Sequence, residues 1–169
     1  MFTLLAVATA AVVALAVVIL RSGDGSGSNA VSSPLSAGIA RQRPASAPFE
    51  GLGELNVGIG GRCLRLAVAD SLAERVAGLR GHADLGPYDG MLFVFPSDGV
   101  VGFTMATVPD ALEIVFFDSA GRVVDRMRMA PCPNGTDATC PLYTPKGPFR
   151  YALETGAGVV YDGALAVPR

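Results

Sequence analysis

The first twenty residues, Met1 to Leu20, carry no charge and only two polar side chains, Thr3 and Thr9. At about 1.5 Å per residue, a helix of this run is roughly 30 Å long, the thickness of a bilayer's hydrocarbon core. Whatever this chain does is therefore expected of a smaller domain tethered to a membrane, or released from one. A cleaved signal peptide begins with basic residues, continues with roughly 7–15 apolar ones and ends in small ones. Here the only early positive charge is the amino terminus, Arg21 stops the run, and the small-x-small site Ser28-Asn29-Ala30 lies well past it. The expectation is an uncleaved single-pass anchor over residues 1–21, making the membrane a partner, with secretion after cleavage as the alternative. Arg21, Arg41 and Arg43 follow the span, so positive-inside counting places the domain in the cytoplasm. The cysteines point the other way, to an extracytoplasmic domain.

Residues 22–48 are rich in Gly, Ser, Ala and Pro without apolar periodicity, and read as a flexible linker. Residues 49–169 are enough for one domain with its own core. The net charge of −2 includes no basic run, and there is no Trp, so nucleic acid is not an expected partner. With His82 as the one histidine, the ligands of a metal site are lacking, and neither metal nor cofactor is expected. Cys132 and Cys140 share the Pro-rich loop PCPNGTDATCP, while Cys63 stands alone beside a strand. Outside the cytoplasm the loop pair reads as a disulfide. Three free thiols in a cytoplasmic protein are the alternative.

The domain alternates short apolar runs with turn signals, an all-β rhythm. Residues 55–59 and 64–68 alternate around Gly60-Gly61, a hairpin with a slightly irregular connection. The period then changes. Ser71-Leu72-Ala73-Glu74 is a capping box, Leu72, Val76 and Leu79 form an apolar stripe, and Gly81 ends the one sizeable helix. Met91 to Phe95 is apolar on both faces, as a doubly covered central strand requires. Strands are expected over 100–107, over 112–117 (covered on both faces except at Glu113) and over 122–129. The last pair is joined by the turn Asp118-Ser119-Ala120-Gly121. In 122–129, Val123, Asp125, Met127 and Met129 share one face, and Arg122, Val124, Arg126 and Arg128 the other. A strand over 149–154 turns Phe149, Tyr151 and Leu153 inward, and 164–167 is a possible last strand. The expected fold class is mainly β (α+β), a compact β-sandwich or distorted barrel with one short helix, behind the N-terminal transmembrane helix.

The order of Arg75-x-x-Gly78-Leu79, Gly90-Met91-Leu92-Phe93-Val94-Phe95, Phe103-x-Met105 and Leu112-Glu113-Ile114-x-Phe116-x-Asp118 carries more than strands. Cys132-Pro133, Cys140-Pro141-Leu142-Tyr143 and Tyr151-x-Leu153-Glu154 complete the pattern. Over roughly residues 62–167 it resembles the bacterial and archaeal family called domain of unknown function 192. The resemblance implies a compact, mainly β domain with one helix, often behind a signal peptide or anchor, and no established activity. The family pattern Phe-Trp-Met-Lys-Asn-Thr here reads Phe103-Thr104-Met105-Ala106-Thr107-Val108, and Pro-Leu-Asp-Ile reads Ala111-Leu112-Glu113-Ile114. A functional surface built on that polar run in relatives is altered here.

Glu113 is the most informative polar residue of the sequence. Between apolar strand neighbours a carboxylate must be paired or kept neutral. It is either a general acid/base or ligand contact, or an anchor to Arg75 or to loop amides. The second is favoured, and Arg75 has the same dual reading. Arg122, Arg126 and Arg128 form a solvated edge more readily than an anion site. No Gly-x-Ser-x-Gly elbow occurs. The candidate polar site comprises Arg75, Thr104, Met105, Glu113, Asp118 and Glu154. Two classes of function stay open: a non-catalytic binding or accessory module for an unknown small molecule or protein, which is preferred, and a small hydrolase using Glu113 with a second acidic residue.

Overall fold

The computed structural model describes residues 34–167; the expected anchor falls on residues outside that range. Among the described residues no helix is long and apolar enough to cross a membrane. Ten strands and two short helices are present there, in the order α1 (Pro34–Ile39), β1 (Arg43–Pro44), β2 (Gly53–Ile59), β3 (Arg62–Ala69), α2 (Leu72–Ala77), β4 (Gly90–Gly99), β5 (Phe103–Thr104), β6 (Leu112–Phe117), β7 (Val123–Met129), β8 (Leu142–Tyr143), β9 (Phe149–Gly156) and β10 (Leu165–Ala166). Mainly β is therefore correct, but the sheet is not closed into a barrel. An eight-stranded sheet runs β1-β2-β3-β4-β9-β6-β7 with β10 beside β2, and β5 pairs with β8 separately.

Segment 34–48, expected as linker, supplies α1 and β1. Leu35 and Ile39 are buried in the core, and β1 pairs with the start of β2. Two apolar residues four apart sufficed for one buried helical turn. The β2–β3 hairpin is regular, not irregular: Ile59 pairs with Arg62 across Gly60-Gly61, whose φ angles of 56° and 81° are those of a tight two-residue turn.

The next connection, through α2, places β4 parallel to β3. The capping box is formed, with Ser71 and Glu74 exchanging side-chain and backbone hydrogen bonds. The helix ends at Gly78 (φ 50°) rather than Gly81. Of the expected stripe only Leu79 enters the core; Leu72 is 72% and Val76 61% exposed.

β4 is central, between β3 and β9, as its apolar run required. β9 is central too and buried on both faces. Tyr151 and Leu153 enter one apolar cluster, Ala152 and Phe149 the other, so the expected single inward face is corrected. The irregular β4–β9 register between Val94 and Gly99 accompanies the change of side at Phe149. The strand expected over 100–107 is only β5. On β7, Asp125 and Met129 are buried while Arg126 and Arg128 are exposed on the outermost strand. Arg122 pairs with Asp118, Arg126 with Asp162 and Arg128 with Glu113, so this face is a solvated edge.

A candidate ligand cavity floored by Glu154

A cavity of about 260 Å³ is lined by α2 and the turn after it and by residues of β4, β5 and β9. Leu72, Arg75, Val76 and Gly78 form one wall, and Phe93, Phe95, Phe103 and Thr104 the other. Glu154 reaches it from β9. The sheet register explains that residue's surroundings. Its cross-strand neighbours are Met91 on β4 and Ile114 on β6, both fully buried and apolar. Among the described residues nothing hydrogen-bonds or ion-pairs with its carboxyl. Burial alone raises its pKa from 4.5 to about 8, so it is protonated at neutral pH.

The other buried glutamate shows what a structural carboxylate looks like in this chain. Glu54 accepts hydrogen bonds from Arg65, Tyr88 and Arg43. The bond from Arg65, then that from Tyr88, holds its pKa below the ordinary value. Asp125 is likewise held by the backbone amides of Arg126 and Lys146. Glu154 has none of this.

Arg75 braces the cavity wall. Its Nη1 donates to the carbonyl of Val94 at 2.8 Å and to that of Asp70, and its guanidinium lies 5.0 Å from the Phe95 ring centroid. It thus ties α2 to β4 and does not neutralise Glu154. Arg80 donates to Asp137 and to the carbonyl of Ala106, closing the side toward the Cys132–Cys140 disulfide. Cys63 is exposed and free. Thr104 Oγ1 accepts from the Ala106 amide at 3.2 Å. The Phe93 and Phe103 rings meet edge to face at 5.2 Å, and Phe95 and Phe103 at 6.3 Å.

The structure divides the six expected site residues. Arg75, Thr104 and Glu154 share the cavity. Met105 is fully buried in the core and does not line it. Glu113 does not reach it: it alternates with Ile114 onto the opposite sheet face, where its Oε1 accepts from the Gly158 amide at 3.3 Å and stands 3.8 Å from Arg128. The loop-amide anchor expected for it is present; the Arg75 partnership is not. Asp118 caps the β6–β7 turn, accepting from the amides of Ala120 and Arg122 and from the Arg122 guanidinium. Burial opposes its ionisation, and these bonds outweigh burial, leaving its pKa lowered. Sequence reasoning missed Arg80, Asp137 and the rim positions of Leu72 and Val76. For the last two, helical periodicity pointed to the core and gave no sign of the cavity. Among the described residues no cluster of His, Cys, Asp and Glu has the makings of a metal site.

The fold recurs in two crystal structures. A protein of unknown function from Novosphingobium aromaticivorans DSM 12444 superposes with a TM-score of 0.61 at 23% identity, covering 74% of this chain and 93% of that one. A putative transcription regulator from Sinorhizobium meliloti 1021 gives 0.58 at 23%, covering 69% and 95%. At this identity the likeness concerns the fold alone. No curated protein matches the chain. The family model DUF192, described as "Uncharacterized ACR", matches residues 55–167, two thirds of the sequence and every element that builds the cavity. The chain belongs to the DUF192 family.

Proposed function

We propose that the domain is a non-catalytic ligand-binding module whose site is this cavity, held at a membrane by residues 1–20 and facing away from the cytoplasm. Glu154 carries the reading. A buried carboxyl without a partner costs stability, and such groups collect where a ligand or reaction uses them. Apolar walls around one or two polar groups are also the usual makeup of a small-molecule site. The disulfide fits an oxidising compartment. Hydrolysis by a carboxylate pair finds less support. Glu113 lies on the far face of the sheet, and Asp137, the other acid on the cavity, is held by Arg80.

Screening small molecules against the isotopically labelled chain by NMR tests the binding site. Hits are expected to shift the amides of Phe93, Phe103 and Glu154. Thr104→Trp, which fills the cavity from its wall, should abolish those shifts in a folded protein. Binding that ignores this substitution would move the site elsewhere. Alkaline carbonate extraction tests the anchor: full-length protein should stay with the membrane, and its release would refute that part.

A further inference from the structure

We infer that the ligand of this cavity is a protonated primary amine on an apolar stem, its ammonium meeting the Glu154 carboxyl and its stem the phenylalanine walls. The inference rests on the ligand-binding reading of the same cavity. A neutral carboxyl both donates and accepts, but an ammonium draws it into the ionised form, which only accepts, and that charge-assisted pair is the stronger bond. Among the described residues no cation already fills that role. Of the charged groups lining the cavity, Arg75 is directed to the Val94 and Asp70 carbonyls, and Arg80 is matched by Asp137. On the flanking strands the residues opposite Glu154 are Met91 and Ile114, which do not titrate. The walls suit the same ligand. Phe93 and Phe103 offer ring surface to a cation, and Phe95, whose ring already carries the Arg75 guanidinium, adds apolar contact to the stem. An anionic ligand would set its charge against the one group on the floor able to become negative. A cavity of about 260 Å³ is on the scale of a short alkyl amine.

Such a ligand exchanges one proton. The neutral carboxyl gives its proton to the buffer as the ammonium binds, leaving a carboxylate–ammonium pair. Below the Glu154 pKa of about 8, affinity should therefore rise about tenfold for each pH unit, and level off above it.

Isothermal titration calorimetry of the full chain with n-hexylammonium and with 1-hexanol, from about pH 6 to about pH 9 and in two buffers of different ionisation enthalpy, tests this. Hexylammonium should bind at least about tenfold tighter than hexanol at about pH 8. It should also gain about tenfold from about pH 6 to 7 with release of close to one proton. Hexanol should show neither pH dependence nor proton release. In Glu154→Gln, the isostere of the neutral acid, the preference for the amine should vanish while the melting curve shows a folded domain. Hexanol binding as tightly as the amine, or amine binding without the pH slope, would overturn the inference and leave the ligand-binding reading standing. If neither probe binds in the cavity, the inference falls, and the ligand-binding reading is decided by the NMR screen.

Discussion

Replacing Glu154 by Gln should make the domain more stable, and increasingly so as the pH rises. The folded carboxyl titrates near 8 and the unfolded one near 4.5, because burial disfavours the ionised form. Between those values the folded chain holds a proton that the unfolded chain has released. Stability therefore falls with rising pH across that window, by up to about 1.4 kcal/mol per unit. At about pH 7.5 the accumulated loss is about 4 kcal/mol, a large fraction of a small domain's total. Glutamine keeps the shape and removes the titration. The other perturbed carboxylates do not blur the window. Glu54, Glu74, Asp118 and Asp125 have lowered pKa values, so their contributions are complete above pH 4.5 and are lost only in acid. Urea unfolding of both proteins at a series of pH values from about 5.5 to about 8.5 gives the comparison. Wild type should decline while Glu154→Gln stays level. Parallel curves, or a variant less stable at about pH 7.5, would show that the carboxyl is solvated or paired.

Thr107 is the one non-glycine residue with positive φ (62°) among those described, an unfavourable setting for a β-branched side chain. It stands where the family pattern has Asn, so Thr107→Asn should raise stability by about 0.5–1 kcal/mol in thermal or urea unfolding. The Cys132–Cys140 bridge closes a short loop. Replacing both cysteines by Ser should lower stability by at most about 2–3 kcal/mol, and a variant as stable as wild type would contradict that loop-entropy account. Glu113→Gln keeps the acceptor for Gly158 and gives up only the long pair with an exposed Arg128, so its cost should stay below about 1 kcal/mol in the same assay.

Strand positions were legible where one residue type repeats a physical demand. The run Met91 to Phe95 is apolar on both faces because β4 lies between two other strands, and the Ser71–Glu74 box announces its helix directly. The parallel β3–β4 pairing was not legible, since apolar runs do not encode partner or direction. The same limit hid the site. Glu113 and Glu154 both sit in apolar strands, and sequence gave more weight to Glu113. Only the register shows that Glu113 faces a loop amide while Glu154 is bracketed by Met91 and Ile114. Leu72 and Val76 had the spacing of a core stripe. They became the rim of a cavity because α2 ends at Gly78 and borders an open space also lined by Phe95 and Phe103.

The central claim is that the floor of this cavity is a desolvated carboxyl to which no described residue is a partner. Its most direct test is the titration of the Glu154 side-chain carboxyl carbon by carbon-13 NMR in the ligand-free chain. The account predicts a single transition with its midpoint near pH 8. A midpoint near 4.5, the ordinary value for a glutamate, would contradict it.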